Sequence, residues 1–207
     1  IVSGLIPISV FETVSDANMG SFTLEYGEGF SPLNWTQIST GSTSISTINQ
    51  TISWDTSSLD DGSTYTLRLR ATDAAQNTNQ ITSIVTIDNT PPNASIIQPS
   101  DHQYTEGESI QFSGIASDIN FSSWTLSYGS GTSPTTWTNI NSGSAPITEA
   151  APLGTFDPTT LPDGLYTVQL CVEDKAHNKT VSNVLVTKDT TSPELDINWQ
   201  ANQHISN

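Results

Sequence analysis

The sequence predicts an all-β fold: two tandem β-sandwiches of seven strands each, the first incomplete at its N-terminus. Three observations carry this expectation. The chain repeats itself at an offset of 102 residues, later 101, and a repeat of that length is a whole module. Apolar and polar residues alternate along short runs, the period of half-buried strands. Turn-forming residues break the chain roughly every 8–12 residues, the spacing expected of a sandwich. No stretch holds a helical period.

The repeat fixes the modules. Ser15-Asp16-Ala17-Asn18 returns as Ser117-Asp118-Ile119-Asn120, and Phe22-Thr23-Leu24-Glu25-Tyr26-Gly27 as Trp124-Thr125-Leu126-Ser127-Tyr128-Gly129. Pro32 to Ile38 returns at Pro134 to Ile140, and Leu59-Asp60-Asp61-Gly62 as Leu161-Pro162-Asp163-Gly164. One residue is then lost. Tyr65 to Leu69 matches Tyr166 to Leu170, Asp73 and Asn77 match Asp174 and Asn178, and Asp88-Asn89-Thr90-Pro91-Pro92 matches Asp189-Thr190-Thr191-Ser192-Pro193. The expected division is 1–91 for module one, 92–193 for module two, and 194–207 for the first strand of a third module or a donor strand.

In module two, strands are expected near 93–98, 108–116, 122–128, 135–140, 152–157, 165–173 and 181–188. Trp124, Leu126 and Tyr128 share one face. Tyr166, Val168, Leu170 and Val172 share another, with Cys171 turned outward. In module one the matching inward set is Tyr65, Leu67, Leu69 and Ala71. Val2-Ser3-Gly4 is read as the counterpart of Phe112-Ser113-Gly114, so module one lacks its first strand and carries an insertion over roughly 6–13. Residues after Pro193 repeat the strand after Pro92, with Leu195 and Ile197 at the positions of Ala94 and Ile96.

Charge narrows the function. Twenty-one Asp and Glu face five Lys and Arg, a formal −16, yet only 13% of residues are charged. Such a surface repels nucleic acid and anionic lipid and attracts cations. A single cysteine excludes an intrachain disulfide and a Cys-based zinc site. No apolar run approaches the length of a membrane span.

Leu59 to Ala71 resembles the corner and following strand of fibronectin type III domains, and Leu161 to Tyr166 gives the same corner one residue shorter. The D-x-x-x-N turn followed by a strand and Asp-Asn-Thr-Pro-Pro is similar to bacterial Ig-like repeats of surface proteins, adhesins and secreted hydrolases. The resemblance implies an Ig-like/fibronectin type III-like sandwich in each module. It implies that Tyr65 and Tyr166 act as structural tyrosine corners, the hydroxyl tied to upstream backbone. It also implies an extracellular or cell-surface location, bacterial in source, and a structural or adhesive role. Partners would be neighbouring repeats, identical subunits, or host and matrix glycans or proteins.

In that topology the loops after the second and sixth strands lie at the end where the chain enters. Asp118 and Asn120, Asp174 and Asn178, and the linker residues Asp88 and Asn89 would then meet at the junction. Oxygen ligands without His or Cys favour Ca²⁺. The equivalent loop set in module one is Asp16, Asn18, Asp73 and Asn77. Asp and Asn at loop tips also form Asx-turns, and the sequence leaves both roles open.

Trp35 and Trp137 recur at matching positions, as do Trp54 and Phe156. One aromatic per strand suits core packing, and carbohydrate binding, as in an accessory module of a secreted hydrolase, is the alternative. His102, His177 and His204 have no counterparts in the other module and sit in no nucleophile motif, so no enzyme is expected. A further alternative is a filament subunit that donates residues 194–207 to the next molecule.

Overall fold

The structure, a computed structural model, describes residues 1–10, 17–42 and 50–196. Asp16, His204 and most of the segment 194–207 lie outside the described residues. Every regular element described is a strand. In module one these are β1 (Leu5–Val10), β2 (Met19–Glu28), β3 (Thr36–Gly41), β4 (Gln50–Asp55), β5 (Thr64–Asp73) and β6 (Thr78–Thr86). In module two they are β7 (Asn93–Gln98), β8 (Gln103–Thr105), β9 (Ile110–Ser117), β10 (Phe121–Ser130), β11 (Thr138–Gly143), β12 (Ile147–Phe156), β13 (Gly164–Asp174) and β14 (Lys179–Lys188).

Each module is a two-sheet sandwich. Module two packs the order β11-β10-β13-β14-β8 against β12-β9-β7. The alternation read from sequence is what fills the gap between them. Leu126, Val168, Leu170 and Val172 are fully buried, with Phe112, Leu153 and Phe156 facing them from the other sheet. Cys171 pairs with Thr125 and Val181 on the outer side and is half-buried. Module one repeats the first sheet as β3-β2-β5-β6, but its second sheet has two strands, β1 and β4.

Two expectations are corrected. Module two has an eighth strand: β8 is three residues long and runs parallel to β14. So short a run shows no period. The start of module one is also different. Val2 forms a parallel bridge with Ile87, as Thr105 does with Lys188, so it corresponds to β8. Leu5–Val10 is then no insertion. It pairs with β4 as β9 pairs with β12, setting Ile6 opposite Trp54 where Ile110 lies opposite Phe156. The triad Val-Ser-Gly matched by chance in a chain rich in Ser and Gly. Module one still shows no counterpart of β7 among the described residues.

Candidate functional site

The linker between β6 and β7 is tied to both modules. The Asp88 amide donates to the Val2 carbonyl (2.9 Å), holding its backbone to module one. Its side chain turns the other way and accepts from Asn120 Nδ2 (2.8 Å) in the β9–β10 loop. Asn178, in the β13–β14 turn, donates from Nδ2 to the Asp88 carbonyl (2.8 Å), and its Oδ1 accepts from the Ser3 hydroxyl (2.6 Å). A segment of module one and two loops of module two thus close on one linker residue.

The D-x-x-x-N sequence explains the turn. Asp174 Oδ1 accepts the amides of Ala176 (2.8 Å) and Asn178 (2.9 Å), while Asn178 Nδ2 reaches Asp174 Oδ2 (2.8 Å). His177 takes a left-handed conformation (φ 68°) inside this turn. Module one builds the same turn: Asp73 accepts from the Asn77 amide and side chain, and Gln76 is left-handed at φ 68°. These hydrogen bonds hold the Asp73 carboxyl below the ordinary carboxylate range. The Asn18 carbonyl accepts from Ala74 as the Asn120 carbonyl accepts from Lys175. Asp73 is half-exposed, whereas Asp174 is 0% exposed. The linker and the Ser3 segment lie against the second copy.

Three carboxylates converge there. Ligand oxygens of Asp88, Asp118 and Asp174 all lie within 4.8 Å of one another. Asp88 and Asp174 are buried and Asp118 is half-buried, so the cluster opens to solvent on the Asp118 side. Asp118 Oδ1 accepts the Asn120 amide (2.6 Å), an Asx-turn that fixes its direction. The ion pairs among the described residues lie elsewhere, on Glu25, Asp101 and Glu173. Charges at this separation repel by roughly 3–4 kcal/mol per pair at an effective dielectric of about 20.

Of the six residues expected to meet at the junction, all are there, but not in one role. Asp88, Asp118 and Asp174 form the cluster. Asn120 and Asn178 brace it through their amide groups. Asn89 faces module one: its Oδ1 accepts from Ser3 and from the Gly4 amide, and its Nδ2 donates to the Thr56 carbonyl. Ser3 carries no local signal in the sequence, because its contacts span 86 and 175 residues.

A profile of the bacterial Ig-like domain (group 3) matches residues 48–122 and 153–207, well over half of the chain. The chain belongs to this family. Among solved structures it is similar to the FN1–FN3 domains of chicken CNTN1, with 10% identity and a TM-score of 0.49 over 83% of this chain. It spans 57% of that chain's length. No curated protein matches.

The other residues singled out fit a bacterial Ig-like sandwich. The Tyr166 hydroxyl donates to the Pro162 carbonyl (2.8 Å), and the Tyr65 hydroxyl meets the backbone of Asp60, the equivalent residue. Burial raises both phenols above their ordinary value. Trp54 and Phe156 are core residues at 3% and 0% exposure. Trp35 is stacked under the Arg68 guanidinium, 3.7 Å from the ring centroid, and Trp137 is exposed. His177 and His102 are exposed, beside Glu173 and Asp101 respectively. Among the described residues no helix is long and apolar enough to cross a membrane.

Proposed function

We propose that this chain is a non-catalytic, extracellular structural or adhesive repeat segment, stalk-like, whose module junction is stiffened by Ca²⁺ held by Asp88, Asp118 and Asp174. The observation that carries the reading is the convergence of three carboxylates from the linker and two loops, with no cation paired to them among the described residues. Hard oxygens on one partly open side suit Ca²⁺, which tolerates irregular geometry and keeps water ligands. A cation there ties the linker to both loops of module two, in addition to the hydrogen bonds from Asn120 and Asn178. Pro91 and Pro92 restrict the chain just beyond, which supports a stiff connection and not a hinge.

The test is thermal unfolding in EGTA and then in millimolar Ca²⁺. At a concentration a hundredfold above Kd, binding contributes about 2.7 kcal/mol, a rise on the order of 10 °C for a module of this size. Asp118→Asn separates charge from folding, because an Asn side chain keeps the Asx-turn. In EGTA this variant should melt higher than the wild type, since one repulsive charge is gone. In Ca²⁺ it should lose most of the rise. A wild-type chain whose melting temperature ignores Ca²⁺ would end the metal reading.

A further inference from the structure

The two modules carry the same tryptophan beside the outer face of their larger sheet, under different cover. In module one Trp35 is half-buried, and the Arg68 guanidinium lies over its ring, 3.7 Å from the centroid. Glu25 holds that guanidinium in place, accepting from Nε at 2.9 Å. Module two keeps the tryptophan as Trp137 and exchanges both of the charged residues. Gln169 stands where Arg68 does and Ser127 where Glu25 does, paired across β10 and β13 as Glu25 and Arg68 are across β2 and β5. Gln169 turns instead to the neighbouring strand and donates from Nε2 to Asn183 Oδ1 (3.0 Å). Among the described residues neither a cation nor another ring packs on Trp137, which is 40% exposed.

An indole without such cover is a flat apolar platform. The amide pair on the same sheet face keeps one acceptor, Gln169 Oε1, and one donor, Asn183 Nδ2, free of other described residues. A pyranose ring has the complementary surfaces: C–H bonds on one face, and neighbouring hydroxyls at its edge that donate and accept. A few placed polar groups around an aromatic surface are what orient a ligand of this kind. The face also selects on charge. The row Asn139, Ser127, Gln169 and Asn183 crosses four strands without a charged residue, and so do the rows on either side, through Cys171 and through Thr167. This uncharged patch lies in a chain of net −16, whose field repels an anionic ligand. From the uncovered ring and the neutral amide pair we infer that Trp137, Gln169 and Asn183 form a binding site for a neutral glycan, with one pyranose ring stacked on Trp137. Module one has no such site, because Arg68 occupies its ring. The site goes beyond the structural role of the repeat and does not need the cation at Asp88.

The test uses the full chain in EGTA, titrated with cellohexaose, xylohexaose, mannohexaose and chitohexaose, and with hexagalacturonate as the acidic counterpart. Two-dimensional NMR reads the indole N–H resonances. At least one neutral sugar should move the Trp137 resonance and leave that of Trp35 in place. The Kd should be on the order of 1 mM, the affinity that one ring on an open platform can supply. Trp137→Ala should weaken that binding at least about tenfold, the loss expected for an aromatic anchor. The position is exposed, so circular dichroism should show this variant folded. Gln169→Arg, which restores the residue that covers the ring in module one, should weaken binding as well. Trp137 unmoved by all four neutral sugars at up to about 10 mM would overturn the inference. So would binding that survives Trp137→Ala or is indifferent to Gln169→Arg, or hexagalacturonate bound as tightly as the best neutral sugar.

Discussion

Trp54 shows what one residue can be asked to hold. It stands in the core of module one where module two has Phe156, with its ring 5.1 Å from that of Tyr26. Its indole Nε1 is buried with no hydrogen-bond partner among the described residues. An unsatisfied buried donor costs about 1–3 kcal/mol, while the area lost in going to Phe costs a similar amount. Trp54→Phe should therefore change stability by less than about 1 kcal/mol, measured by urea unfolding, where removal of a core Trp to Ala would cost about 3–5 kcal/mol. A large loss would mean that the indole has a partner after all. Residue by residue, the inward positions were legible because each belongs to a strand of period two. The aromatic roles were less so. Trp35 and Trp54 look alike in the sequence, yet one stacks on Arg68 at the surface and the other is buried, since that choice depends on which sheet lies opposite.

At the level of elements, β10 and the loop after it carry a constraint that the repeat preserves. Gly129 lies against Pro134, and a Cβ built on it would stand 2.3 Å from the Pro134 Cβ and 2.7 Å from the Thr136 carbonyl oxygen. Gly27 meets Pro32 and Asn34 in the same way. Two of the blocking atoms are ring carbon and backbone, so neither can swing aside. Gly129→Ala should destabilise module two by about 1–3 kcal/mol through overpacking, seen as a lower melting temperature for that module with module one unchanged. An unshifted transition would show that the loop yields. The repeat made both members of this pair visible, because matched residues fold alike. The elements it did not reveal were those whose counterparts in the other module share too little sequence to align. β8 is too short to show a period, and β1 reads as an insertion in the sequence because its pairing with β4 crosses some forty residues of chain.

At the level of the whole molecule, the junction was legible as a meeting of loops but not as a set of contacts: topology places loops, whereas packing decides which side chain turns to which module. The clasp on the linker makes the point and a prediction. Asp61 accepts the Asn89 amide and the Thr90 hydroxyl, and Asp163 accepts the amide and hydroxyl of Thr190 at 3.0 and 2.8 Å. The same corner therefore grips the linker that follows it in both modules. The Thr90 hydroxyl, then the Asn89 amide, lower the Asp61 carboxyl below its ordinary 3.8, and the Thr190 amide and hydroxyl do the same for Asp163. A carboxyl depressed in the folded state contributes stability that is complete above its unfolded value and is lost as pH falls through its folded value. The clasp should thus hold at neutral pH and release only on acidification below about 3.8. NMR relaxation should report the two modules tumbling together at neutral pH and separately in acid, while both remain folded. Asp61→Asn, which weakens the acceptor without adding bulk, should loosen the junction already at neutral pH and leave little further change on acidification. Modules that tumble together through the whole range would assign the stiffness to Pro91, Pro92 and the Asn178 contacts instead.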